Sequence, residues 1–199
     1  MPKQFVVQDR YFKKAKDEGY RARSVFKLEG IQNRFHVLKP GDRVLDLGAA
    51  PGSFLQYISK VIGEKGIAIG IDLQEIKPLK RNNIFTYTGD ICDDALVKKI
   101  ISSHAVREFD VVTSDLAPKT SGIKFLDAGR SLELNLQVLD IAGKYLKKGG
   151  HAVMKILPGF NEGDLTSKAS KMFRTVKKFR PEAIRKSSGE SYIICIGKF

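Results

Sequence analysis

The chain has 199 residues, 42 % of them hydrophobic, and a formal net charge of +13. That size suits one domain with a full core, the apolar fraction excludes disorder over most of it, and the basic excess points to a polyanionic partner, nucleic acid before an acidic membrane. No apolar run could cross a bilayer, no leader-like stretch follows Met1-Pro2-Lys3-Gln4, and neither Cys92, Cys195 nor the three histidines show metal-ligand spacing, so a metal-free protein of the reducing cytoplasm, off the membrane, is expected.

Residues 10–27 are basic with aromatics interleaved. Arg10, Lys13, Lys14, Lys16, Arg21, Arg23 and Lys27 face only Asp17 and Glu18, with Tyr11, Phe12 and Tyr20 among them. Such a stretch suits RNA, whose bases stack on rings while Lys and Arg hold phosphates, and it defines a basic arm over about residues 1–30 of a single domain. The alternative is a solvated arm whose rings pack on the domain. Ser24 is placed to cap a helix carrying Val25, Leu28, Ile31 and Phe35, which ends before Lys39-Pro40-Gly41.

A strand at 44–47 runs into Asp46-Leu47-Gly48-Ala49-Ala50-Pro51-Gly52-Ser53-Phe54. Glycine tolerates positive φ and close ligand approach, so Gly48 and Gly52 can floor a small-molecule site between strand and helix. Their spacing is not G-x-G-x-x-G, which favours an adenosyl ligand without a pyrophosphate, such as S-adenosylmethionine, over a dinucleotide. The next helix carries Phe54, Leu55, Ile58, Val61 and Ile62 and stops at Gly63.

Strands at 67–71 and 84–87 end at Asp72 and near Gly89-Asp90. Asp93 caps a helix with Leu96, Val97, Ile100 and Ile101, and a strand at 110–113 ends at Ser114-Asp115. A long helix with Leu132, Leu136, Leu139 and Tyr145 precedes Lys147-Lys148-Gly149-Gly150. A strand at 151–156, a helix at 162–173 and strands at 175–179 and 191–197 complete the chain. The second basic stretch, 168–186, reads in part as helix-end and sheet-edge charge.

This alternation gives an α/β, doubly wound, mostly parallel sheet, with an antiparallel last strand because its connection is short. Asp72, Asp90 and Asp115 all fall on the strand ends where such sheets bind ligands. Asp72 lies about 20 residues past the glycine loop, where a carboxylate takes ribose hydroxyls. Asp90 is placed to accept from an adenine amine.

The whole chain from about Arg10 resembles the FtsJ family of S-adenosylmethionine-dependent RNA 2′-O-ribose methyltransferases, close to its RlmE ribosomal branch. The resemblance rests on Tyr20-Arg21-Ala22-Arg23-Ser24-Val25-Phe26-Lys27-Leu28, the glycine loop, Ser114-Asp115-Leu116-Ala117-Pro118, Val153-Met154-Lys155 and Ser187-Ser188-Gly189-Glu190-Ser191-Tyr192. It implies a Rossmann-like methyltransferase sheet, a catalytic tetrad of Lys27, Asp115, Lys155 and Glu190, and cofactor contacts at Gly48, Gly52, Phe54, Asp72, Asp90 and Asp115. Ser53-Phe54 stands where that branch has Gly-Trp, and the loop 119–127 departs most from the pattern.

The implied reaction methylates a ribose hydroxyl, with a uridine of large-subunit ribosomal RNA the first substrate and the transfer-RNA anticodon loop the second. Lys155, which must be neutral to accept a proton, is the expected base. Asp115 and Glu190 would orient the two lysines, and Lys27 would stabilise the alkoxide. Base methylation on this fold uses an Asn/Asp-Pro-Pro-aromatic motif or a catalytic cysteine, and Asp115-Leu116-Ala117-Pro118 provides neither. A Rossmann dehydrogenase is disfavoured by the glycine spacing. A non-catalytic RNA-binding assembly factor is the remaining rival.

Overall fold

A computed structural model of the chain describes residues 10–104, 106–118, 121–158 and 162–199, so residues 1–9 of the expected arm and 119–120 of the divergent loop lie outside the described residues. The elements are α1 (Arg10–Asp17), α2 (Val25–Phe35), β1 (Arg43–Leu47), α3 (Ser53–Ile62), β2 (Ile67–Asp72), β3 (Ile84–Thr88) and α4 (Asp94–Ser102). They continue with β4 (Phe109–Ser114), α5 (Lys124–Tyr145), β5 (Leu146–Ile156), α6 (Glu162–Met172), β6 (Phe173–Phe179) and β7 (Ser191–Lys198). One sheet results, in the order β3-β2-β1-β4-β5-β7-β6. The strands β1 to β5 are parallel, and β7 slots antiparallel between β5 and β6. The expected doubly wound sheet with an antiparallel last strand is the architecture found.

The strands β1, β2 and β4 and residues 152–156 of β5 are largely apolar because both faces are covered, whereas the outer strands β3 and β6 are mixed and only partly buried. On one face Val44, Ala68, Val111, Val153 and Ile194 pack against Leu28 and Ile31 of α2 and Leu55 and Ile58 of α3. On the other, Leu45, Ile69, Val112, Met154 and Ile193 meet Val97, Leu139, Ala142 and Leu165 of the remaining helices. Neighbours in sequence thus alternate between two cores. Among the described residues no helix is long and apolar enough to cross a membrane.

Several local expectations hold. Gly63 ends α3 at φ +66°, and the Asp93 carboxylate accepts from Leu96 N at 3.0 Å to cap α4. Others change. Ser24 sits at the start of α2 with helical dihedrals and makes no cap; its hydroxyl instead lies 2.8 Å from that of Ser53, joining the first turns of α2 and α3. The strand β5 starts at Leu146 instead of 151, through an irregularity that shifts its register against β4 and contains Gly149 at φ +78°. The first part of the basic stretch is helical as α1, in which Ala15 is the buried residue.

Candidate active site

The order of the sheet reverses between β1 and β4, and ligands of doubly wound sheets bind at the carboxyl ends of the strands flanking such a point. Three registers gather the chemistry there. Leu47 pairs with Ser114, setting Gly48 beside Asp115; Ser114 pairs with Met154, setting Asp115 beside Lys155; and Lys155 pairs with Tyr192. Lys155 follows Val153 by two residues, so it shares the α2 face of the sheet, from which Lys27 reaches in.

All four expected tetrad residues meet. Lys155 Nζ donates to the Asp115 main-chain carbonyl at 2.7 Å and lies 3.3 Å from Asp115 Oδ1. Lys27 Nζ is 2.9 Å from Glu190 Oε1 and 3.9 Å from Asp115 Oδ1. Their side chains are between 8 % and 18 % exposed, so the cluster is largely dry yet open at one side. Two ammonium groups balance two carboxylates, which makes a partly buried ionic cluster tolerable.

A fifth group belongs to this cluster. Tyr192 is fully buried and its hydroxyl donates to Asp115 Oδ1 at 2.6 Å. Burial, then the Asp115 charge, pushes its phenol well above the ordinary value, so it stays a donor. Tyr192 closes the last motif of the resemblance, but only the antiparallel register reveals its task.

The cofactor side is built from the other strand ends. Gly48 has φ +76°, and a Cβ added there would lie 2.6 Å from Leu116 Cδ2, so the loop's close approach requires glycine. Gly52 has φ +103° at the start of α3. Asp72 braces the loop, accepting from Ala50 N at 2.9 Å and Gln74 N at 2.8 Å. Asp90 is exposed and accepts from Cys92 N at 2.9 Å. Each carboxylate oxygen has further lone pairs for a ligand. Phe54 is 3 % exposed within the core beneath α3, so its ring supports the loop from behind and presents almost no surface of its own.

Asp46 was not among the expected site residues. It is 1 % exposed; Oδ1 accepts from Thr113 Oγ1 at 2.6 Å, while Oδ2 has no hydrogen-bond partner among the described residues. Burial above all, opposed by Thr113 and aided by Asp115 and Asp72, pushes its pKa up to about 8. Burial thus favours its protonated form, which carries an O–H donor at the switch point. A buried donor without an acceptor beside a loop that only glycine can form fits a small polar ligand such as S-adenosylmethionine. Among the described residues no group of three or more His, Cys, Asp and Glu could hold a metal ion.

The arm is more structural than its composition suggests. Arg21 donates to the carbonyls of Pro51, Lys77 and Pro78, and Arg23 donates to that of Ala183. Tyr11 and Tyr20 pack on Phe26 at 5.5 and 6.0 Å between ring centres, while Phe12 is exposed. Lys14 pairs with Glu18 and Glu29. From the far side, Asn135 of α5 donates to the Lys155 carbonyl at 2.9 Å.

A seven-stranded sheet of this order, with a glycine loop and acidic strand ends at its switch point, fits the S-adenosylmethionine-dependent methyltransferases, the class that the similarities to known proteins show. The chain belongs to the FtsJ-like methyltransferase family, whose model matches residues 20–198. It is 42 % identical over 190 residues to a ribosomal RNA large subunit methyltransferase E of Syntrophobacter fumaroxidans, covering 96 % of this chain and 95 % of that one. Its counterpart in Bdellovibrio bacteriovorus is 43 % identical over 192 residues, covering 96 % and 97 %. Among solved structures, a ribosomal RNA methyltransferase of Plasmodium falciparum superposes with a TM-score of 0.80 at 28 % identity, over 90 % of this chain and 98 % of that one. Aeropyrum pernix fibrillarin, crystallised with S-adenosyl-L-methionine, shares the fold with a TM-score of 0.62 at 20 % identity, over 87 % and 76 %.

Proposed function

We propose that this protein methylates the 2′-hydroxyl of a ribose in large-subunit ribosomal RNA, with a uridine as the target. The observation that carries the reading is the meeting of Lys27, Asp115, Lys155 and Glu190 beside the glycine loop. The names of the relatives support the choice of RNA.

Gly48, Gly52, Asp72, Asp90 and Asp115 would hold the cofactor, with Phe54 beneath the loop. When bound, S-adenosylmethionine supplies an electrophilic methyl group on a sulfonium. A ribose hydroxyl is a weak nucleophile until it loses its proton. Lys155 is the base. A neutral amine has two N–H bonds and one lone pair; the Asp115 carbonyl and carboxylate take up the N–H bonds, which leaves the lone pair for the hydroxyl. As the ribose oxygen would take the methyl group, with the S–CH3 bond breaking to leave a neutral thioether, the hydroxyl proton would pass to Lys155 Nζ. Lys27 stabilises the negative charge that develops on the oxygen, and Glu190 holds Lys27. Alignment contributes most, since well-oriented intramolecular reactions gain roughly 7–11 kcal/mol.

The test is incubation with labelled methyl donor and RNA from cells lacking this protein, followed by mapping of the label. A ribose methyl in large-subunit RNA is expected. Label in the transfer-RNA anticodon loop, or none, contradicts the reading.

A further inference from the structure

We infer that a basic groove on the far side of α3 from the glycine loop holds the phosphate backbone of the RNA that flanks the methylated nucleotide; this rests on the function proposed above. The β2–β3 connection, 73–83, contains no helix and crosses back beside α3 to the start of β3. Asn83 anchors it: Ser59 Oγ donates to Asn83 Oδ1 at 2.7 Å, and Asn83 Nδ2 donates to the Gly63 carbonyl at 2.8 Å. Between this segment and the end of α3 lies a depression of about 810 Å³. Lys60 and Lys65 stand on one side of it and Lys80 and Arg81 on the other, so four cations outnumber the carboxylates of Glu64 here and Glu18 in the adjoining depression. A second depression of about 400 Å³ shares Lys60, Lys80 and Arg81 and reaches Gly19 and Tyr20 at the end of the arm. The two form one track. It runs from the arm, which Arg21 ties to the glycine loop, to the opposite edge of the sheet, a strand length of about 17 Å away.

Charge and exposure select the occupant. Lys60, Lys65, Lys80 and Arg81 are all exposed, and none makes an ion pair with a described residue. In the arm, Arg21, Arg23 and Lys14 are engaged with carbonyls and carboxylates, so part of its charge serves the fold itself. Cations on two facing walls of an elongated, open track match a chain of phosphates. Phe85 also lines the track, but its ring packs against His104 at 4.4 Å between centres, so it offers no stacking platform. The groove therefore positions RNA without reading its bases.

The test compares K60Q/K65Q/K80Q/R81Q with the unsubstituted protein and with K98Q/K99Q/R107Q/K148Q, which removes the same charge from exposed sites elsewhere. Affinity for a fluorescent hairpin of large-subunit ribosomal RNA is measured against salt, with methyl-transfer kinetics on the same RNA. The groove variant should lower the slope of log affinity against log salt by about 3–4, the counterion release of four phosphate contacts. Its KM for RNA should rise while kcat and cofactor affinity stay unchanged, and the control variant should change little. A groove variant indistinguishable from the control overturns the inference. So does a groove variant that binds the hairpin normally and loses affinity only for ribosomal particles, since that identifies a protein partner. If the unsubstituted protein neither binds nor methylates the hairpin, the proposed function fails instead.

Discussion

Asp115 Oδ1 is approached by Tyr192, Lys155 and Lys27 at 2.6, 3.3 and 3.9 Å, and this single oxygen organises the charged cluster. In the proposed mechanism Lys155, 3.3 Å from this oxygen, is the group that takes the proton. Lys155→Ala should slow methyl transfer by roughly 10²–10⁴-fold, the scale of general acid–base catalysis. Cofactor affinity should stay near normal. Labelled methyl transfer measured beside cofactor titration checks this, and retained activity removes Lys155 from the role. Asp46 makes a different prediction. Its pKa rises from an ordinary 3.8 in the unfolded chain to about 8 in the fold, so between these values the native state binds the extra proton. Its contribution to stability is present below about pH 4 and is lost as pH climbs toward about pH 8. Asp46→Asn, which keeps the shape and cannot ionise, should gain stability relative to the parent as pH rises through that window. Melting curves of both proteins across the range test it; a difference that does not vary with pH contradicts the assignment.

At the scale of elements, the β6–β7 connection presents Glu190, and a single guanidinium shapes it. Arg180 donates to the carbonyls of Glu190 at 2.8 Å, Arg185 at 3.0 Å and Ser188 at 2.6 Å. Arg180→Ala should lower kcat by up to about 10²-fold, the cost of a small misplacement of a catalytic group, while leaving cofactor affinity unchanged. Arg180→Lys should not rescue it, because one ammonium cannot reproduce the planar fork. Full activity in either variant would show that the connection keeps its shape without Arg180. None of this is visible in the sequence, where Arg180 is one cation in a basic stretch. The strands β1, β2 and β4, by contrast, were legible because each is an apolar-rich run that stops at Gly48, Asp72 or Ser114. The four tetrad positions were legible because they sit within motifs of a recognised family. Ser24 misled because hydroxyl residues before an apolar run usually cap; its partner Ser53 is 29 residues away, and only the packing of α2 on α3 joins them. The early start of β5 was hidden by Lys147-Lys148-Gly149-Gly150, which reads as a turn and forms an irregular strand end instead.

At the scale of the whole molecule, the excess of positive charge has a division of labour. Part of it in the arm holds the fold together, Lys27 and Lys155 sit among carboxylates beside the glycine loop, and the α3 groove keeps cations open to solvent. Composition announced a polyanion but could not sort these roles, because that depends on which carbonyls and carboxylates the fold brings within reach. The account as a whole is tested most directly by high-resolution mapping of the methyl group transferred to unmodified large-subunit ribosomal RNA by the protein and by Lys155→Ala. The account predicts one labelled ribose 2′-oxygen with the former and a loss of that signal with the latter. A methyl group on a base, or equal labelling by both proteins, would contradict it.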